Sequence, residues 1–255
     1  MKLFVMGALI LLLAGCASSG GGGADGQQQS AVDAQASARI HTELAALYYG
    51  QLQYGVALDE LKLALSADSK YAPAYSVRGL VYMSLFEDKK AEENFEHSLD
   101  LDSKDSGTRN NYGWFLCQRG RDKESIQQFM EAVKNPLYAT PEKAYLNAGL
   151  CSKKAGKMKE AEAFLKKALS IQPKMTEALL GMAELSFANA DYAGAKSYFL
   201  RLSRLGAELA AGELFLAARI ERKLGDKNAE ASYKLQLRKR FPDSRETQLM
   251  LSGDR

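Results

Sequence analysis

Histidine and proline are both scarce in this chain; the first shortage bears on function and the second on fold. His41 and His97 are the only histidines in 255 residues. Neither has a second histidine or a cysteine at metal-ligand spacing, which argues against a histidine-built metal centre or catalytic triad. Both are read as structural or surface residues. Only 5 prolines interrupt the backbone, and with abundant Ala and Leu the composition leans all-helical. The formal net charge is +3, too small an excess to argue for a nucleic-acid partner. No alternating strand pattern is present to build an α/β active site. The run Gly20-Gly21-Gly22-Gly23 lacks both the Gly-Lys-Ser/Thr ending and the preceding strand of a phosphate loop. Glu92-Glu93 and Lys166-Lys167 read as solvated faces. The expectation is therefore a protein that is not an enzyme, with no catalytic residues, metal, cofactor or small-molecule substrate.

Long apolar runs are missing too. The one candidate, Leu3 to Leu13, falls short of the roughly 18–20 residues that span a bilayer. It follows a single basic residue, Lys2, and ends in Leu13-Ala14-Gly15-Cys16. A charged start, a short apolar stretch and small residues before a cleavage point describe an export signal. A cysteine just past the cut matches a bacterial lipobox at all four positions. We therefore expect 1–15 to be a removed signal peptide and Cys16 to carry lipid that ties the chain to a membrane. The alternatives are an ordinary signal with a chance cysteine, or a membrane anchor. Residues 16–36, rich in Gly, Ser and Gln, read as a flexible tether.

From about residue 37 the chain repeats itself. Ala57, Ala91, Ser125, Ala161, Ala195 and Ala229 are spaced by 34, 34, 36, 34 and 34 residues. Four residues after each comes a larger side chain: Leu61, Phe95, Phe129, Leu165, Phe199 and Tyr233. Twelve residues before each comes a small one: Ala45, Gly79, Gly113, Gly149, Ala183 and Ala217. This is the tetratricopeptide repeat pattern. Each unit is a helix A, a tight turn and a helix B, and the small residues let A and B cross closely. Six units fit, at 38–71, 72–105, 106–141, 142–175, 176–209 and 210–243. The expected fold is an all-α, right-handed superhelical solenoid of about six repeats spanning 37–243, with 244–255 a polar, frayed tail. The two-residue slip lies at Asn135-Pro136-Leu137-Tyr138-Ala139-Thr140-Pro141. It reads as a plain irregular loop, the alternative being that it presents Leu137 and Tyr138 to a partner.

Such a stack offers a surface in place of a reaction centre. The A helices line its concave face, where fixed offsets place Tyr49, Leu80, Met83, Asn110, Trp114, Leu146, Leu150 and Phe187. Trp114 is the only tryptophan. An apolar groove of this kind marks a site for a partner's helix or extended segment, unless several of these side chains are core. A carboxylate-binding groove is rejected, because repeats one and two lack the required set of Lys, Arg and Asn. Cys117 and Cys151 fall near the C-terminal ends of neighbouring A helices. With axes roughly 8–10 Å apart, a disulfide stapling repeat three to repeat four is favoured over two buried thiols.

The lipobox, the tether, six repeats and the segments Asn111-Tyr112-Gly113-Trp114-Phe115-Leu116-Cys117 and Asn147-Ala148-Gly149-Leu150-Cys151 together resemble the type IV pilus biogenesis lipoproteins called pilotins. Ser125, where a small Ala is usual, is a conservative departure. The resemblance implies an outer-membrane lipoprotein on the periplasmic face. It would bind the secretin subunit of the pilus machine through the early repeats and promote its outer-membrane localisation and multimerisation. Ala17 and Ser18 follow Cys16, so the aspartate that retains lipoproteins in the inner membrane is missing from the second mature position. The competing expectation is a lipid-anchored scaffold for other periplasmic or cell-wall assembly proteins.

Overall fold

A computed structural model describes residues 22–253 apart from 207, with side chains from residue 30 onward. Cys16 and the signal segment lie outside the described residues. The described chain holds thirteen helices and no strand. Twelve pair as A and B helices: α1 (Gly22–Gly50) with α2 (Tyr54–Ala67), α3 (Ala72–Ser84) with α4 (Asp88–Leu101), and α5 (Ser106–Gln118) with α6 (Asp122–Lys134). The pairs continue with α7 (Pro141–Lys154) and α8 (Met158–Ile171), α9 (Thr176–Ala188) and α10 (Tyr192–Ser203), and α11 (Ala211–Leu224) and α12 (Lys227–Arg240). A short α13 (Arg245–Leu251) closes the chain.

The small–large pattern of the sequence is the A–B contact itself. A Cβ built on Gly79 would lie 2.8 Å from the Phe95 ring, one on Gly113 2.8 Å from Phe129, and one on Gly149 2.7 Å from Leu165. A Cβ cannot sit that close unless its neighbour shifts, so glycine suits these three units, while Ala45, Ala183 and Ala217 take the same position in the others. Ala57, Ala91, Ser125, Ala161 and Ala195, which open the first five B helices, are fully buried beside these contacts. The sixth unit is looser, with Ala229 and Tyr233 only half-buried.

Every A helix ends in the same way. The amide two or three residues past the helix end donates to the carbonyl five residues back: Gln53 to Tyr48, Glu87 to Tyr82, Arg121 to Leu116, Lys157 to Ser152, Asp191 to Ser186 and Asp226 to Glu221, at 2.8–3.0 Å. This six-to-one bond defines a Schellman motif, whose preceding residue must turn left-handed. Gly120, Gly156 and Gly225 fill that position in three units, at φ of 74, 76 and 83°. Leu52, Phe86 and Ala190 fill it in the others, at φ of 61, 60 and 60°. A left-handed backbone costs a residue with a Cβ about 1–2 kcal/mol.

Two expectations about the ends are corrected. Residues 22–36 are helical, not a flexible tether, and α1 runs without a break into the first repeat. Gln27–Gln29, Ala31, Ala34 and Ala36 are good helix formers with no proline among them. The segment lacks an apolar period, and residues 30–33 and 35 are exposed. The segment 244–255 is not wholly a frayed tail either. Ser244 caps α13 by accepting from the Thr247 amide at 3.2 Å, and buried Thr247 donates its hydroxyl to the Phe241 carbonyl at 2.7 Å. α13 packs on α11 and α12 where the next A helix of the stack would lie.

The slip between repeats three and four is a compact turn. The Asn135 carboxamide accepts from the Leu137 amide at 3.0 Å, and Pro141 opens α7. Tyr138 folds inward against the cluster around Cys117 and Cys151, whereas Leu137 stands 88% exposed.

Candidate protein-interaction groove

Packing between units decides which face is concave. Each A helix touches the next A helix, from α1–α3 through to α9–α11, while no two B helices touch among the described residues. Helices that meet repeat after repeat lie on the inside of a curved stack, and helices that fan apart lie on the outside. The A helices therefore line the groove.

Its first half is apolar. Tyr49, on α1, accepts a hydrogen bond from Ser84 of α3 at 3.2 Å, and its ring lies 6.0 Å from that of Tyr54. Leu80 and Met83 are half-buried, resting on the aromatic cluster of Phe95, Tyr112 and Phe115. The Met83 carbonyl accepts from Arg119 at 3.2 Å, and the same guanidinium pairs with Asp88 at 2.5 Å. That hydrogen bond holds the Asp88 carboxyl below its ordinary range. Trp114 leans on the cluster of Phe129, Ala148 and the two cysteines and is half-buried. Cys117 and Cys151 are joined across α5 and α7, with Cα atoms 5.8 Å apart.

The second half is crossed by charge. Lys153 of α7 pairs with Glu184 of α9, and Lys154 donates to the Cys117 carbonyl at 3.3 Å. Leu150 and Phe187 remain half-buried between these groups. Arg219 lies 4.5 Å from the centre of the Phe187 ring. A cleft of about 660 Å³ follows, lined by Phe187, Tyr192, Phe215, Arg219 and, from α13, Arg245 and Leu249.

Of the residues placed in the groove by position, Tyr49, Leu80, Met83, Trp114, Leu150 and Phe187 keep exposed surface. Leu146 does not. At 9% exposure it belongs to the core shared with Leu165 and Leu179, because α8 and α9 both close over it. Asn110 faces its neighbour, accepting from Asn147 at 3.0 Å. That bond is part of a polar ladder between successive A helices, with Asn111 donating to Ser76 at 3.3 Å. The ladder was missed in the sequence. Its signal was polar residues 35 and 37 positions apart, about one repeat.

The histidines are engaged elsewhere. His41 shares a 2.7 Å hydrogen bond with Glu60 of α2, and the His97 ring meets Tyr75 edge-on at 4.3 Å. Among the described residues no cluster of His, Cys, Asp or Glu is arranged to hold a metal. None of their helices is long and apolar enough to cross a membrane.

Comparison with known proteins agrees with this architecture. Tetratricopeptide repeat models match residues 72–105 and 153–214. The repeat is a protein-interaction scaffold and not an enzymatic fold. The chain is 31% identical over 188 residues to the type IV pilus assembly protein PilF of Pseudomonas aeruginosa, covering 74% of each. It superposes on the crystal structure of PilW, a widely conserved type IV pilus biogenesis factor, with a TM-score of 0.76 at 36% identity over 84% of this chain and 98% of that one. The solved structure of Pseudomonas aeruginosa PilF gives a TM-score of 0.77 at 27% identity, over 90% of this chain and all of the other. This chain belongs to the family of tetratricopeptide-repeat proteins of type IV pilus biogenesis represented by PilF and PilW.

Proposed function

We propose that this protein is an outer-membrane lipoprotein that binds the type IV pilus secretin subunit and promotes its localisation and multimerisation. Lipid on Cys16 fixes it to the periplasmic face of the outer membrane, and the groove of the early repeats holds the secretin. The observation that carries the reading is the apolar half-groove of Tyr49, Leu80, Met83 and Trp114, half-buried side chains on touching A helices of a pilus-biogenesis protein. Side chains in that state gain by losing their remaining water to a partner's apolar face.

Replacing Leu80 and Met83 together with Asp tests it. The variant is expected to keep its helical circular dichroism, to lose capture of the secretin subunit, and to lose heat-stable secretin multimers in cells. Full capture would move the docking site elsewhere. In parallel, Cys16→Ser is expected to leave a precursor outside the outer membrane, and normal outer-membrane fractionation would remove the anchor from the account.

A further inference from the structure

Leu52 and Phe86 occupy positions where this chain prefers glycine elsewhere. Both are the left-handed residue of a Schellman turn, at φ 61 and 60°. Gly120, Gly156 and Gly225 fill the same place in other units without strain. Ala190 shows that the fold tolerates a Cβ there, but it adds almost no surface. Leu52 and Phe86 add a great deal, being 72% and 83% exposed. Strain at a turn combined with a large apolar side chain held in water is unfavourable for folding on both counts.

From this we propose that Leu52 and Phe86 are two prongs of a docking edge that grips an apolar segment of a protein partner. The edge is continuous with the groove. The Leu52 amide donates to the Tyr49 carbonyl at 3.0 Å and the Phe86 amide to the Met83 carbonyl at 3.2 Å, so each prong sits one turn past a groove residue. Phe86 is also propped from the next repeat. The Arg119 guanidinium lies 5.8 Å from its ring centre and is itself held by Asp88 and the Met83 carbonyl.

Touching A helices set the prongs on the order of 10 Å apart. Residues seven apart on a partner helix are separated by about 10.5 Å, so an amphipathic helix with apolar side chains at that spacing fits the pair. A lipid surface does not fit. The prongs lie at the C-terminal ends of A helices, and α1 has 29 residues, which places its N-terminus, the end that leads to Cys16, about 43 Å away. The partner is thus a protein segment on the side away from the anchor. The inference deepens the secretin reading and rests on it.

The test is the double variant Leu52→Gly/Phe86→Gly, with Ala190→Gly as the control for strain relief alone. Glycine suits the left-handed turn, so the double variant is expected to melt no lower than the parent. Capture of the purified secretin periplasmic region is expected to weaken at least about tenfold, given the apolar area removed. Ala190→Gly is expected to leave capture unchanged. A second pair, Leu52→Asn/Phe86→Asn, keeps a residue type that accepts the same backbone and is expected to lose capture equally. Parent-like capture by both pairs overturns the inference and leaves the secretin reading standing. A parent chain that captures no secretin overturns the reading and the inference together. The inference also falls if either pair instead abolishes self-association in sedimentation, or binding to phosphatidylethanolamine–phosphatidylglycerol vesicles.

Discussion

Breaking the Cys117–Cys151 bridge is the sharpest perturbation available to this fold. The bridge closes a loop of 34 residues. Opening it returns conformational freedom to the unfolded chain, and the loop-entropy relation gives about 3.8 kcal/mol at 25 °C for a loop of that length. In a chain of this size each kcal/mol moves the midpoint by roughly 2–4 °C, so full reduction lowers Tm by about 8–15 °C. Thermal melts of the oxidised chain, the same chain under reductant, and Cys117→Ala/Cys151→Ala separate the causes. Reduced wild type keeps both sulfurs in their nearly water-free site between α5 and α7 and so reports loop closure alone. The alanine pair adds the loss of packing, about 1 kcal/mol for each small buried group removed. Oxidised and reduced chains that melt within about 2 °C of each other would refute the loop-closure argument.

Gly113→Val drives a side chain into the Phe129 ring, 2.8 Å from where its Cβ must lie. It is expected to lower stability by about 1–3 kcal/mol in urea titration, and an unchanged midpoint would show that the A–B crossing yields more freely than argued. The Tyr112 hydroxyl is raised well above its ordinary pKa by burial and by its hydrogen bond to Glu92. A phenol raised on folding contributes stability that is whole below about pH 10 and is lost as pH climbs past it, because only the unfolded chain ionises there. Burial also raises Tyr71, Tyr138 and Tyr233, so Tyr112→Phe is expected to shrink, and not abolish, the fall in Tm between neutral pH and about pH 11. Thr247→Val removes the 2.7 Å bond to the Phe241 carbonyl and is expected to cost about 1 kcal/mol. It should raise amide exchange in α13 ahead of α11, and equal protection of the two helices would count against a separately held cap.

What could be read in the sequence was whatever the A–B crossing dictates. Gly79, Gly113 and Gly149 answer the large residue pressing from helix B, Ala45, Ala183 and Ala217 stand at the same position, and this demand for a small residue recurs at every unit, so it writes a period into the chain. Demands made once write none. The extension of α1 over residues 22–36 carries no apolar period, and α13 buries a single threonine. The groove fell between these cases. Position on helix A places Leu80 and Leu146 alike on the inner side. Whether the side chain then meets water depends on the neighbouring repeat: Leu80 stays half-open, while Leu146 is covered by the core of repeats four and five. The ladder of Ser76, Asn111, Asn110 and Asn147 needs the register of one repeat against the next, which no single repeat encodes.

The placement of the bridge gains meaning from the two halves of the groove. Its apolar stretch ends at Trp114 on α5, and the charged stretch begins at Lys153 on α7. Between them the chain carries its two extra residues and the pair Pro136 and Pro141, in the link from α6 to α7. A solenoid is held only by nearest-neighbour interfaces, so each junction between units sets how one half sits against the other. Cys117 and Cys151 add a covalent tie to this junction on the A-helix side, where α5 meets α7. The covalent link therefore fixes the apolar surface and the charged surface at one relative angle. A partner that reaches both halves meets a preformed site and loses less of its binding energy to ordering them.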